Sequence, residues 1–457
     1  MSTRPSKIGL LVGALMLICL GSAHGKGIEW IKDDYAKAME LAKKKRVPLV
    51  VDLWAPWCHT CLSMKAHVFT DKKLEPFAKK FVWLALDTDK PENAEALDDL
   101  PVEAWPTLYV ASPVDGSIQG RLVGAATPEQ IIGLLKQGQA GHTGVVKRKE
   151  GLEPHLAQWR AADALMADGE YQEAAMRYRK ALTLSPQGLE RRQELVGSLV
   201  LALQRAGRYA QCLKMGGSQL VIATRRVAAS AADFVQTVDT CAVALERVND
   251  DHRTAIVRFR KRAAVRLEAI LAEAEGKLTL DDHSDAMRIL RTLMVRLGLK
   301  RQAQELANTQ LQMLDAFAFG TADPKARMMY SWPRTEVYLF LDRGMDLVDH
   351  LRYTAQQLPE EYDAHYRLAW LLHRLERHDE ALKPAKKALA LAYGPRRARL
   401  FTLLGDIHKA LKQVTEERAA RMGAVATLTG LPMSMRDQKA IEAAQAALDK
   451  VPQVGGQ

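Results

Sequence analysis

Pro48-Leu49-Val50-Val51-Asp52-Leu53-Trp54-Ala55-Pro56-Trp57-Cys58-His59-Thr60-Cys61-Leu62-Ser63-Met64-Lys65-Ala66 decides how the 457-residue chain is read. Its first six residues are a near-continuous apolar run, the pattern of a central strand buried on both faces. Its last five have helical character. Two cysteines spaced C-x-x-C between a buried strand and a helix start are the layout of a thiol–disulfide site. At that position free backbone N–H groups and the helix dipole favour negative charge, and the thiolate is the reactive form of cysteine.

Working outward from this stretch, Lys32 to Lys45 reads as an amphipathic helix with Tyr35, Ala38, Met39 and Ala42 on one face. Phe81-Val82-Trp83-Leu84-Ala85-Leu86 is a second buried strand, closed by the polar group Asp87-Thr88-Asp89. Thr107 to Ala111 is a third, with Asp115-Gly116 as the hairpin turn into Arg121-Leu122-Val123. A last helix starts at Thr127-Pro128-Glu129-Gln130, where Thr127 can cap and Pro128 suits the first helical position. Strands alternating with helices and closing in a hairpin predict a three-layer α/β domain around a mixed sheet, over residues 26–138.

The cysteine-bearing segment together with Trp105-Pro106-Thr107 resembles the thioredoxin superfamily. The opening helix that runs straight into the active-site strand, and His67-Val68-Phe69-Thr70-Asp71 after the cysteines, are most similar to the C-terminal domain of the bacterial thiol:disulfide interchange (DsbD) proteins. This resemblance covers residues 28 to 138. It implies that Cys58 is the attacking cysteine, Cys61 the resolving one and Pro106 the cis-proline facing them, with Trp57, Trp105 and Pro106 meeting the substrate. It also implies that Asp52, six residues before Cys58, is a buried acid whose raised pKa suits it to exchange the Cys61 proton. Two features depart from the pattern. His59-Thr60 stands where thioredoxin has Gly-Pro, and Trp105 is bulkier than the usual aliphatic residue. A protonated His59 would stabilise a Cys58 thiolate and push the site toward oxidising behaviour, whereas a solvated His59 would do nothing. The direction of electron flow is therefore open. A C-x-x-C is also half a zinc site, but no second Cys or His pair lies at ligand spacing, so no metal and no cofactor is expected.

Hydrophobic content of 48% and charged content of 26% are those of a soluble globular protein. The length calls for two or three domains. The formal charge of +11 divides as +2 over residues 1–25, −1 over 26–145 and +10 over the remainder. In the last part Lys and Arg alternate with Glu and Asp along helices, which reads as solvated faces and not as a nucleic-acid site. At the N-terminus, Arg4 and Lys7 precede an apolar stretch from Ile8 to Leu20 and the small residues Gly21 to Gly25. This reads as a cleaved signal peptide, residues 1–25, directing the protein to the periplasm or outside the cell. The run is short of the ~20 residues that span a bilayer, so no stable span is expected after cleavage; an uncleaved signal anchor is the alternative. Cys19 follows the bulky Ile18, unlike a lipid-attachment cysteine.

Gly138-Gln139-Ala140-Gly141-His142-Thr143-Gly144 reads as a glycine-rich stretch opening a linker over 139–151. Beyond it the pattern is helical and repetitive. Ala162, Leu165, Gly169, Tyr171, Ala174, Tyr178, Ala181 and Pro186 form one unit; Leu368, Ala369, Leu372, Ala381, Ala385 and Ala388 form another; Leu404, Gly405, His408 and Ala424 follow. These resemble tetratricopeptide repeats, helix pairs that stack into a curved all-α solenoid. The divisions expected are helix pairs at 152–222, degenerate repeats at 223–358, repeats at 359–431 and a C-terminal helix and tail at 432–457. Cys212 and Cys241 fall on neighbouring helices, the second of one pair and the first of the next. In an oxidising compartment they form either a structural disulfide or two buried thiols.

Two functions follow from the residues. One is an exported thiol–disulfide oxidoreductase with a protein substrate or redox partner, whose solenoid binds a protein, an acidic one given the basic excess. The other is a non-enzymatic envelope scaffold in which the thioredoxin-like domain is a recognition module.

Overall fold

The computed structural model of the protein describes residues 27–102, 104–147, 153–225, 229–248, 251–274 and 276–452. The expected signal segment, with Arg4, Lys7 and Cys19, lies outside them.

Five strands form one mixed sheet in the order β1-β3-β2-β4-β5: β1 Trp30–Lys32, β2 Leu49–Trp54, β3 Val82–Asp87, β4 Thr107–Ala111 and β5 Ile118–Val123. β2 and β3 run parallel with Asp52 opposite Ala85, while β2 and β4 run antiparallel with Asp52 opposite Leu108. The apolar run of β2 is central because both of its faces are covered. Val50 packs with Met64, Trp83 and Leu134 on one side; Leu49, Val51 and Leu53 pack with Ala38, Leu84 and Tyr109 on the other. Each such buried side chain contributes about 1.5–3 kcal/mol. The short edge strand β1 was not legible in the sequence; it pairs with β3 at Trp30–Trp83.

Helix α1, Tyr35–Lys45, starts where Asp34 accepts from the Lys37 N–H at 3.0 Å and ends with Lys43 to Lys45 at its negative pole. Helix α2, His59–Ser63, carries the cysteines and passes into a π-helical turn, Met64–Val68. Helix α3 is Ala94–Asp99, and α4 is Pro128–Lys147.

The glycine-rich stretch corrects the sequence reading. It is not a linker as far as Lys147 but the second half of α4. A β-carbon on Gly138 would collide with the Val110 side chain of β4, and one on Gly141 with Gln119 of β5. These glycines let the helix lie close on the sheet, so their absence of side chain serves packing and not flexibility.

After Glu153 come antiparallel helix pairs: α5 Pro154–Ala167 with α6 Tyr171–Leu184, α7 Arg192–Arg205 with α8 Tyr209–Ala223, α9 Ala229–Glu246 with α10 Arg253–Glu273, and α11 Leu280–Arg296 with α12 Lys300–Gly320. The short α13 Pro324–Met329 leads to α14 Ser331–Phe340 with α15 Gly344–Gln357, α16 Tyr362–Arg374 with α17 His378–Leu391, and α18 Pro395–Ala410 with α19 Val414–Thr429; α20 Gln438–Asp449 packs on α19. Small residues permit the close approach: a β-carbon on Gly216 of α8 would overlap Val238 of α9. Left-handed residues close the turns within the pairs, Gly169 at φ 78° and Gly207 at φ 68° early in the array, Glu376 at 60° and Lys412 at 58° later. Cys212 of α8 and Cys241 of α9 are joined in a disulfide, with Cα atoms 6.3 Å apart. Among the described residues, no helix is long and apolar enough to cross a membrane.

The array turns one side toward the α/β domain, and its contacts come from the first helix of successive pairs. From α4, Gln130 Nε2 donates to Glu194 Oε1 of α7 at 3.0 Å and to Ser230 Oγ of α9 at 2.8 Å. Farther along, α11, α16 and α18 reach the face that carries the cysteines. Ser434, past α19, donates to the Ala94 carbonyl of α3 at 2.9 Å. The side of the array formed by the first helices of its pairs is thus engaged by the chain's own N-terminal domain.

Candidate dithiol site

Cys58 stands at the N-cap of α2, and its Sγ accepts the Cys61 N–H at 3.0 Å. The two sulfurs are bonded to each other, with Cα atoms 5.2 Å apart. Cys58 is 5% exposed and Cys61 1%. They pack with Ala55, Trp54, Trp57 and Trp105. The Trp105–Pro106 peptide is cis. Trp57 and Trp105 meet edge to face at 5.0 Å, and each indole is anchored to the turn after β3. Trp57 Nε1 donates to Asp89 at 2.7 Å, and Trp105 Nε1 to Thr88 Oγ1 at 2.7 Å.

Asp52 lies on β2, two residues before Trp54, and is 1% exposed. Burial raises its pKa to about 6, against the pull of the Lys65 ammonium 3.8 Å away. Burial lowers the Lys65 pKa, opposed by Asp52. Lys65 Nζ lies over the Trp54 ring, 2.8 Å from its centroid, a cation–π contact beside the buried carboxyl. A carboxyl that titrates near 6 can take and return a proton at neutral pH.

The outer side of the motif is not open. His59 Nδ1 lies 2.8 Å from Asp281 Oδ1 of α11, and Ser63 Oγ donates to Thr279 Oγ1 at 3.2 Å. Thr279 caps α11, and Asp281 and Asp282 fill its first turn, where acids are favoured by the helix dipole. Burial alone would lower the His59 pKa; the Asp281 carboxylate outweighs it and lifts the pKa to about 9. His59 is therefore an imidazolium at neutral pH. Asp285, one turn along α11, brings a third ligand-type atom within 4.8 Å of those of His59 and Asp281. A histidine with two carboxylates has the composition of a divalent-cation site.

On the other side, Arg367 of α16 donates to the Trp57 carbonyl at 3.3 Å, and the Arg399 guanidinium of α18 sits 4.2 Å over the Trp57 ring. Arg396 pairs with Asp89 at 3.0 Å and with Asp87 at 3.7 Å, and the Tyr393 hydroxyl donates to Asp87. Burial raises the pKa of both acids, opposed at Asp87 first by the Tyr393 hydrogen bond and at Asp89 by Arg396. Part of the basic excess of the array thus finds its acidic counterpart inside the same chain.

The structure brings Cys58, Cys61, Trp57 and Trp105 together, with Pro106 in cis linkage to Trp105 and Asp52 buried on the strand that leads into the motif. Cys212 and Cys241 lie elsewhere, within the helical core. Trp57, expected at a substrate surface, is covered by arginines of the array. Asp87, Asp89, Asp281, Tyr393, Arg396 and Arg399 were not singled out in the sequence for the site. The polar triplet Asp87-Thr88-Asp89 ending a buried strand was the one visible signal; the array residues offered none, because only folding brings them here.

Residues 29–113 match the family model described as thioredoxin-like. The CITRX thioredoxin-like protein of the Solanum tuberosum chloroplast is 33% identical over 106 residues, covering 21% of this chain and 55% of that protein. Thioredoxin M4 of the Arabidopsis thaliana chloroplast is 28% identical over 85 residues, covering 19% and 41%. The chain spans about half the length of the curated relatives it matches. Among solved structures, a tetratricopeptide repeat protein of Parabacteroides merdae aligns over 65% of this chain and all of its own at 13% identity and a TM-score of 0.40. The N-terminal domain is thioredoxin-like, with a cysteine pair at C-x-x-C spacing, and it is followed by an array of helix pairs.

Proposed function

We propose that the protein is a thiol–disulfide oxidoreductase that acts through Cys58 and Cys61. The observation that carries this reading is Cys58 at the N-cap of α2, accepting the Cys61 N–H, in a motif that follows the strand carrying the buried carboxyl of Asp52. In the reducing direction the Cys58 thiolate attacks one sulfur of a substrate disulfide. That S–S bond breaks, and the second sulfur leaves as a thiolate and takes a proton. Cys61 gives its proton to Asp52 and attacks the Cys58 sulfur, releasing the substrate as a dithiol and leaving Cys58–Cys61 oxidised by two electrons. The oxidising direction is the same sequence reversed.

Export to the periplasm or the cell exterior belongs to this proposal, supported by the charge and apolar pattern of residues 1–25 and by two cysteine pairs in bonded form. The substrate or redox partner is a protein, in keeping with a thioredoxin-like domain joined to a solenoid. With that side of the array engaged, such a partner meets either its other side or a domain released from the array. The scaffold reading draws on the burial of Cys58 and on the contacts that α11 and α16 make with its neighbours His59 and Trp57.

In a series of glutathione buffers the wild-type pair should interconvert between dithiol and disulfide. Cys61→Ser should accumulate mixed disulfides through Cys58, and their mass identifies the partner. A pair that stays oxidised in every buffer leaves the scaffold reading standing.

A further inference from the structure

We propose that His59, Asp281 and Asp285 form a binding site for a divalent cation of the zinc class, which ties the start of the C-x-x-C helix to the helical array. The site goes beyond the dithiol function and stands whether or not Cys58 and Cys61 cycle.

Each of the three side chains offers one ligand atom, and these atoms all lie within 4.8 Å of one another. Ligands held ~2.1 Å from a common ion stand about 3–3.5 Å apart, so small side-chain rotations close the set on an ion. His59 Nδ1 and Asp281 Oδ1, at 2.8 Å, are already near that spacing. Asp281 and Asp285 are one turn apart on α11 and therefore share a face of it. His59 reaches them from the first position of α2. An imidazole with two carboxylates suits Zn²⁺ and its transition-metal neighbours, whereas Ca²⁺ and Mg²⁺ favour an all-oxygen shell.

Acids gather on many protein surfaces without a cation, and a second observation sets this group apart. Asp281 is 1% exposed, and its Oδ2 is buried with no hydrogen-bond partner among the described residues. A carboxylate oxygen taken out of water and left unpaired is costly. The contact with His59 satisfies Oδ1 alone. Because Oδ2 belongs to the same carboxylate, the orphaned atom lies within the cluster, and a cation there supplies the partner it lacks.

The surroundings hold the ligands in place. Thr279 caps α11 and takes a hydrogen bond from Ser63 Oγ at 3.2 Å, which fixes the first turn of α11 against α2. Arg288 Nε donates to Asp285 Oδ1 at 3.2 Å. Outer partners of this kind orient metal ligands. The cation takes the position of a proton on His59 Nδ1, and that proton passes to solvent. Since one ligand comes from the thioredoxin-like domain and two from the array, binding of the ion and docking of the array support each other.

The test uses the full-length protein with both cysteine pairs oxidised, so that no thiolate competes for metal. After chelator treatment and removal of the chelator, Zn²⁺ is titrated by calorimetry. The wild type should bind one ion per chain, and saturating Zn²⁺ should raise its melting temperature. Asp285→Asn leaves the His59–Asp281 contact in place; it should weaken binding by about tenfold or more and abolish the rise in melting temperature. His59→Gln and Asp281→Asn should do the same. If Asp281→Asn fails to fold, Asp285→Asn decides the matter alone. A second pair of imidazoles, His373 and His378, has Nδ1 atoms 3.1 Å apart and is the competing location. Binding that persists in Asp285→Asn and disappears in His373→Ala overturns the proposal, as does a wild type that binds no Zn²⁺.

Discussion

His59 Nδ1 and Asp281 Oδ1 lie 2.8 Å apart although 222 residues separate them in the chain, so the C-x-x-C motif and the helical array share one part-buried ion pair. That pair gives docking a pH dependence. The His59 pKa is raised from 6.5 to about 9, so its contribution is complete below pH 6.5 and is lost as the pH climbs through 9. Docking should weaken by on the order of 1–3 kcal/mol across that window. Small-angle scattering from pH 6.5 to 10 should show the domain and array separating, and Asp281→Asn should flatten the dependence.

Gly394, before α18, has φ 53°, and a β-carbon there would overlap the Asp89 carbonyl. Gly394→Ala should therefore push α18 off the thioredoxin-like domain and break the Arg396 and Tyr393 contacts with Asp87 and Asp89. Reduction of Cys58–Cys61 by dithiothreitol should accelerate by about tenfold or more, since about 1.4 kcal/mol of lost docking multiplies the open population tenfold. An unchanged rate would mean that the array does not limit access to the cysteines.

Asp52→Asn separates chemistry from stability. The raised pKa of Asp52 means that the folded protein holds its proton more tightly than the unfolded chain, so its ionisation costs stability as the pH rises from about 4 to 6. The amide removes that cost, and the melting temperature at pH 7 should rise, by an amount on the order of 1 kcal/mol in stability. Thiol exchange should slow in the same variant and lose its inflection near pH 6. Faster exchange would exclude Asp52 as the proton acceptor.

The Cys212–Cys241 bond closes 29 residues of sequence between α8 and α9. Its loss in Cys212→Ala with Cys241→Ala should cost about 3–4 kcal/mol by loop-closure entropy. Thermal unfolding of the array should shift downward, with glutathione cycling of Cys58–Cys61 retained below the new transition.

The α/β domain was legible because its signals are local. The apolar run Leu49 to Leu53 announces a doubly covered strand, and Cys58, Pro106 and Asp52 each have a fixed place around it. The edge strand β1 was hidden because Trp30 to Lys32 is too short to show a period of two. The helix through Gly138 to Gly144 was misread because a glycine packed against Val110 and a glycine in a loose turn look alike in sequence. Nothing local marks Asp281 or Arg396 as neighbours of the cysteines. Their place depends on the curvature of the whole array, which accumulates from small rotations between successive helix pairs.

The arginines laid on Asp87, Asp89 and Trp57 make the array a tethered competitor for the cysteine-bearing face of its own thioredoxin-like domain. Because both belong to one chain, the local concentration of that competitor does not fall on dilution, and for short connections it is of millimolar order. A partner present at micromolar levels must then bind about a thousandfold more tightly than the array does, or first bind the array itself, before it reaches Cys58. Under the proposed oxidoreductase function, selectivity would reside in the contest for the cysteine-bearing face as much as in the thiol exchange.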